Sequence, residues 1–119
     1  IKDWDTLKNI EKGRVTLQDD LESVPLALPA LMRAAKLQKR AARGGVEVQA
    51  DADTVADAAR KAQTADETDR QAAVGQMLFA AVALARRLGV DPEQALQYQN
   101  AQFTAHPTSC QEAEPSHSC

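Results

Sequence analysis

AAVGQMLFAAVALARRL, residues 72–88, is the most apolar stretch of this chain and decides its fold. Val74, Leu78 and Ala81 recur at helical spacing, and most of the positions between them are apolar too. The run is closed by Arg86 and Arg87 and is shorter than the ~20 apolar residues that a membrane-spanning helix needs. It therefore predicts the central helix of a soluble bundle, buried on several sides, with no membrane segment.

The composition predicts one small domain that completes its core against a partner. A chain of 119 residues supplies one hydrophobic core. Hydrophobic residues make up 44% of it and are mainly alanine, whereas aromatic residues make up 3%, so bulky core residues are scarce. We therefore expect an all-α protein that forms a homodimer. The net charge of -3 favours neither a nucleic-acid polymer nor an acidic membrane as a partner.

The other helices are marked by their start and stop residues. Pro29 opens a helix that Gly44 ends, and Gly89 ends the central helix. Asp91 followed by Pro92 is the clearest helix start, because Asp caps a helix and Pro fits its first turn. The expected helices are residues 3–12 (anchored by Trp4), 29–43, 54–64, 72–88 and 91–103, with connections at residues 14–26 and 44–53.

The last residues differ in character from the rest. Residues 1–106 are expected to form a single helical domain and residues 107–119 a disordered polar tail, because the tail has no apolar periodicity. Cys110 and Cys119 both lie in this tail, which argues against a secreted disulfide framework. No signal-peptide pattern opens the sequence, so we expect a cytoplasmic protein.

Two clusters of charge are candidate ligand sites. The acidic pair Asp19 and Asp20 either binds a cation or lies in a solvated loop, and an isolated pair favours the loop. The cations of the second helix either grip phosphate or form a solvated face that complements the negative end of the helix, and composition favours the face. Those cations are Arg33, Lys36, Lys39, Arg40 and Arg43.

Several sequence blocks carry a family resemblance. WDTLK (residues 4–8), VPLALPALMRA (24–34), KLQKRAAR (36–43), GQMLFA (75–80) and LARRLGVDPEQAL (84–96) occur in this order. The first two are similar to Trp-Glu-x-x-Lys and Val-Pro-x-x-Leu-Pro-Ala-Leu-x-Arg-Ala of the MazG family of nucleoside triphosphate pyrophosphohydrolases. This resemblance spans most of residues 4–103 and implies a helical bundle that dimerises, so that two subunits complete each site.

The resemblance also implies a chemistry. In active members, acidic residues on two facing helices hold Mg²⁺ against a nucleoside triphosphate, and water cleaves it to release pyrophosphate. Mg²⁺ takes oxygen ligands, so several carboxylates are needed. The family motif Glu-Glu-x-x-Glu is matched here by DAARK (57–61), and Glu-x-x-Asp is matched by AVGQ (73–76). The four principal ligand positions therefore read Ala58, Lys61, Ala73 and Gln76, and Asp57 alone keeps an acid.

Two further family segments have changed. Lys-Phe-x-x-Arg, whose cations help to hold phosphates, is matched by QFTAH (102–106), and Gly-Phe-Asp-Trp is matched by GVEV (45–48). If the chain still binds nucleotide, Lys36, Lys39, Arg40 and Phe103 are the candidate residues, and Asp57 is the candidate metal ligand. Lys61 could also replace the cation electrostatically and allow nucleotide to bind without turnover.

Loss of the ligands predicts loss of the reaction. We expect a dimeric MazG-like module with a structural or regulatory role, without Mg²⁺ and without hydrolysis. One alternative is an active pyrophosphohydrolase whose acidic ligands have moved or come from a missing domain. Another is a phosphate-binding module that uses the cations of the second helix. The acids available for a moved site are Asp53, Asp57, Asp66, Glu67 and Asp69.

Overall fold

A computed structural model describes residues 16–107, which form five helices. α1 spans Leu17–Glu22, α2 Ala30–Arg43, α3 Ala52–Thr64, α4 Arg70–Arg87 and α5 Pro92–Ala105. These residues contain no strand, so the expected all-α class is confirmed. The helix expected at residues 3–12 with Trp4, and all of the polar tail after Pro107, lie outside the described residues.

α4 is the helix on which the others assemble. A short connection, residues 65–69, joins it to α3, and these two helices form the most extensive packed pair as a hairpin. α2 packs across α4 and also contacts α1 and α5. α5 meets α4 at an angle of 103°. Among the described helices, no single one is long and apolar enough to span a membrane, and only this bent pair passes that test when its two helices are taken together.

Local sequence explains where the helices begin and end. Asp91 caps α5 by accepting hydrogen bonds from the backbone N–H groups of Glu93 and Gln94, with Pro92 in the first turn. Gly89 has a φ of +78°, which glycine adopts without strain, and it follows directly after the end of α4. The predicted start of α5 and the predicted stop of α4 are therefore confirmed.

The connection expected over residues 14–26 is wrong in part, because α1 lies within it. Thr16 and Asp19 form a capping box in which each side chain accepts a hydrogen bond from the other residue's backbone N–H. Leu17 packs so closely over Gly44 that a Cβ at Gly44 would lie 2.8 Å from Leu17 Cδ1. This cap and this contact with the end of α2 support a helix where the composition is mostly polar.

The core of the described residues is small and is centred on the C-terminal half of α4. Its buried apolar residues are Val24, Ala41, Ala80, Val82 and Ala83. Gln38 is 1% exposed, and its Nε2 donates a hydrogen bond of 2.9 Å to the backbone oxygen of Phe79. A polar side chain on α2 therefore joins that helix to α4 inside the core.

One side of the N-terminal half of α4 is not covered within one chain. Leu78 is 49% exposed, and Val74 and Phe79 are exposed as well. The expectation that this helix is buried on several sides is therefore wrong for the single chain, because α2 and α3 cover only one side of it. α5 is exposed along nearly its whole length, including Tyr98 and Phe103.

The cap of α3 predicts a loss of stability in acid. Asp51 accepts hydrogen bonds from the backbone N–H and the hydroxyl of Thr54, and these bonds lower the pKa of Asp51 below its ordinary value of 3.8. A lowered folded-state pKa gives stability that is present above the unfolded pKa and is lost as the pH falls through the folded one. We expect the melting temperature to fall more between pH 5 and pH 3 in the parent chain than in Asp51→Asn, which caps without titrating. Parallel melting curves for the two chains would contradict this assignment.

Candidate functional site

An open pocket of about 610 Å³ lies between α3 and α4. The loop after α2 closes one end with Val48 and Gln49, and the remaining wall comes from the two helices. The wall residues that bear on function are Asp57, Ala58 and Lys61 of α3 and Gly75, Gln76 and Phe79 of α4. A volume of this size is typical of sites for small organic ligands, which occupy roughly 300–1,000 Å³.

Three of the four positions matched to the family's metal ligands lie in this wall. Ala58 and Lys61 are one turn apart on α3, and Gln76 belongs to the facing helix α4. Ala73, the fourth matched position, is not a wall residue. The fold therefore brings the two motif segments together across one pocket, although none of the three side chains in it is acidic.

Asp57 is the acidic residue of the wall, and its charge is already engaged. Its carboxylate forms an ion pair with Arg60 one turn along α3. Mg²⁺ needs several oxygen ligands, and the ammonium of Lys61 in the same wall repels a divalent cation. The residues present in this pocket therefore do not fit Mg²⁺.

The other acids proposed for a moved site have different surroundings. Asp53, Asp66, Glu67 and Asp69 are not wall residues. Asp66 accepts hydrogen bonds from the hydroxyl of Thr68 and the backbone N–H of Asp69, and these bonds lower the pKa of Asp66. Within residues 16–107, no three His, Cys, Asp or Glu side chains lie close enough together to hold a metal ion.

The candidate nucleotide-binding residues lie elsewhere. Lys36, Lys39, Arg40 and Phe103 are not in the wall of the pocket. The Nη1 of Arg40 donates to the Asp20 backbone oxygen at 3.1 Å, to Asp20 Oδ1 at 3.3 Å and to Ser23 Oγ. Arg40 and Asp20 thus join α2 to α1, whereas Lys36 and Lys39 are exposed on α2.

This contact predicts a structural role for Arg40. We expect Arg40→Ala to lower the free energy of unfolding by about 1 kcal/mol, because three acceptors on α1 and at its end lose the partly buried guanidinium that donates to them. A double-mutant cycle with Asp20→Ala, measured by urea denaturation, isolates the part due to the pair. A coupling energy of zero would show that the ion pair adds nothing to stability.

Sequence reasoning missed part of the wall. Phe79 belongs to the apolar run at residues 72–88, yet it is partly exposed and lines the pocket. The signal was available, since Phe79 follows Gln76 by three residues and therefore lies on the same side of α4. Thr54 of α3 and Gln49 of the loop after α2 gave no such signal, because they reach the pocket only through the tertiary packing of the chain.

Comparisons with known proteins agree with the sequence blocks. No family model matches the chain. It is 37% identical over 110 residues to the nucleoside triphosphate pyrophosphohydrolase of Escherichia coli K12, and equally to that of E. coli O157:H7. Each match covers 84% of this chain and 41% of the relative, so the chain spans about two fifths of the length of these curated relatives. The identity over 84% of the chain and the all-α fold support the assignment of this chain to the MazG family.

Proposed function

We propose that this chain is a MazG-family domain that does not hydrolyse nucleoside triphosphates and serves as a structural or regulatory module. The residues of the pocket wall support this proposal. The matched positions in the wall are Ala58, Lys61 and Gln76, none of which is acidic. The acid that remains in the wall, Asp57, is paired with Arg60. A divalent cation lacks ligands there.

The chemistry explains why this change removes the reaction instead of slowing it. Cleavage of a triphosphate depends on metal ions to neutralise charge and to position the attacking water. A single lysine supplies a fixed charge and hydrogen-bond donors, but it cannot coordinate and activate the attacking water as a metal ion does. The acids that remain on these two helices are Asp53, which is not a wall residue, and Asp57, which is paired with Arg60, so they do not form a set of metal ligands.

We also propose that the module is a homodimer. Along α4, Val74, Leu78 and Ala81 share one side, and Gly75, Gln76 and Phe79 lie on the side that faces the pocket. The first side is exposed within one chain. An apolar stripe of this kind on a core helix is favourable only when another surface covers it.

A titration with Mg²⁺ tests whether this pocket binds the metal on which hydrolysis depends. The backbone amide signals of Ala58, Gly75 and Gln76 are followed by NMR in the parent chain as Mg²⁺ rises to millimolar concentration with a nucleoside triphosphate present. We expect no saturable shift that depends on the metal. A saturable, metal-dependent shift would support the alternative of an active site with moved acids, and Asp53 and Asp57 would be the first residues to replace.

A further inference from the structure

We propose that the pocket between α3 and α4 is a metal-independent binding site for small organic anions, with Lys61 as the charge that pairs with them. This proposal rests on the proposed function in one respect, since it takes the pocket to be free of divalent metal. It goes further by naming the class of ligand and the residue that selects it.

The charged side chains of the wall indicate the charge of the ligand. Asp57 and Lys61 are the charged side chains in the wall, and Asp57 forms an ion pair with Arg60, so that these three residues together carry one net positive charge. Lys61 is exposed and makes no ion pair with another residue of the described part of the chain. The uncompensated charge of this pocket is therefore positive, and it favours a ligand with a negative group.

The rest of the wall defines the body of that ligand. Phe79 and Val48 give apolar surface, and Ala58 and Ala80 are too small to fill the space between the helices. Gln76 adds an amide that can donate a hydrogen bond to an oxygen of the ligand. A flat apolar body that carries one phosphate or carboxylate group matches this arrangement of one cation, one amide and apolar walls.

The same charges predict how the site responds to metal. A divalent cation bound beside Lys61 is repelled, so Mg²⁺ adds no affinity for the anion. The anion pairs directly with the ammonium instead. The expected signature is binding that persists in a chelator and that falls with rising salt, because the pocket is open and its charges are partly screened.

Calorimetric titration of the full chain in EDTA tests the proposal with two pairs of probes. Adenosine monophosphate and 1-naphthoate carry phosphate and carboxylate, and adenosine and 1-naphthamide are their neutral counterparts. We expect at least one of the two anions to bind about tenfold more tightly than its neutral counterpart. Lys61→Gln should abolish that difference, and Lys61→Arg should retain most of it. Arg86→Gln, which removes a cation in the last turn of α4 outside the pocket, should leave it unchanged.

Three outcomes would overturn the proposal. Equal binding of both anions and their neutral counterparts would show that Lys61 does not select charge. Loss of binding in Arg86→Gln but not in Lys61→Gln would place the anion at the end of α4. A tenfold gain in affinity on adding Mg²⁺ would show a metal site. Release of pyrophosphate by the parent chain with Mg²⁺ would contradict the proposed function. It would not decide the present proposal, because the titration is made in EDTA, where metal-dependent hydrolysis does not occur.

Discussion

Replacing the four matched positions with acids is expected to create a chain whose melting temperature rises with Mg²⁺. The substitutions are Ala58→Glu, Lys61→Glu, Ala73→Glu and Gln76→Asp. Three of these positions already share the pocket, so the new carboxylates face one another across α3 and α4. In EDTA their mutual repulsion lowers stability, and Mg²⁺ relieves it. At a metal concentration a hundredfold above the Kd, binding stabilises the folded state by about 2.7 kcal/mol.

The matched control keeps the size of the new side chains and removes their charge. It carries Ala58→Gln, Lys61→Gln, Ala73→Gln and Gln76→Asn, and we expect neither this control nor the parent to respond to Mg²⁺ in a thermal melt. A response of the same size in the control would show that the metal binds elsewhere. We expect metal binding without strong hydrolysis, because Gln102 and His106 still occupy the positions matched to the family's phosphate-holding cations.

Leu78→Asp is expected to convert the proposed homodimer into a monomer. Leu78 is 49% exposed within one chain, so a carboxylate there stays solvated in the monomer but is buried without a partner in the dimer. We expect a cost of about 3 kcal/mol, or roughly a hundredfold weaker association. Light scattering at micromolar concentration measures the change directly.

Leu26→Asp is the control for this substitution. Leu26 is 84% exposed and precedes α2, away from α4 in the chain, so its replacement should leave association unchanged. A compact monomer in the parent chain would contradict the dimer proposal outright. Loss of association in both variants would show that the added negative charge acts without regard to position, which would remove α4 as the assigned interface.

Local signals allowed much of the fold to be predicted. The cap at Asp91 with Pro92, and the glycines after α2 and α4, determine helix ends through residues that are adjacent in sequence. α1 was missed although its capping box is also local, because its Thr-x-x-Asp pattern lies in a segment rich in polar residues. Apolar periodicity predicted a helix where the apolar run was long, as in α4. It did not predict α1, which has fewer than two turns.

The site was less accessible to sequence reasoning because it depends on contacts between distant segments. The motif match named Ala58, Lys61 and Gln76, and these positions do share a pocket. The sequence suggested Arg40 as a nucleotide-binding residue, but it could not show that Asp20, which lies 20 residues earlier, accepts a hydrogen bond from its guanidinium. The exposure of Phe79 likewise depends on how far α3 covers α4, which no local pattern encodes.

The central proposal is that this MazG-like chain does not carry out metal-dependent hydrolysis, and release of pyrophosphate tests it most directly. The parent chain is incubated with each common nucleoside triphosphate and with Mg²⁺ or Mn²⁺, and the E. coli nucleoside triphosphate pyrophosphohydrolase is the positive control. We predict release indistinguishable from that of a sample without protein. Robust release that requires the metal and disappears in EDTA would contradict the proposal.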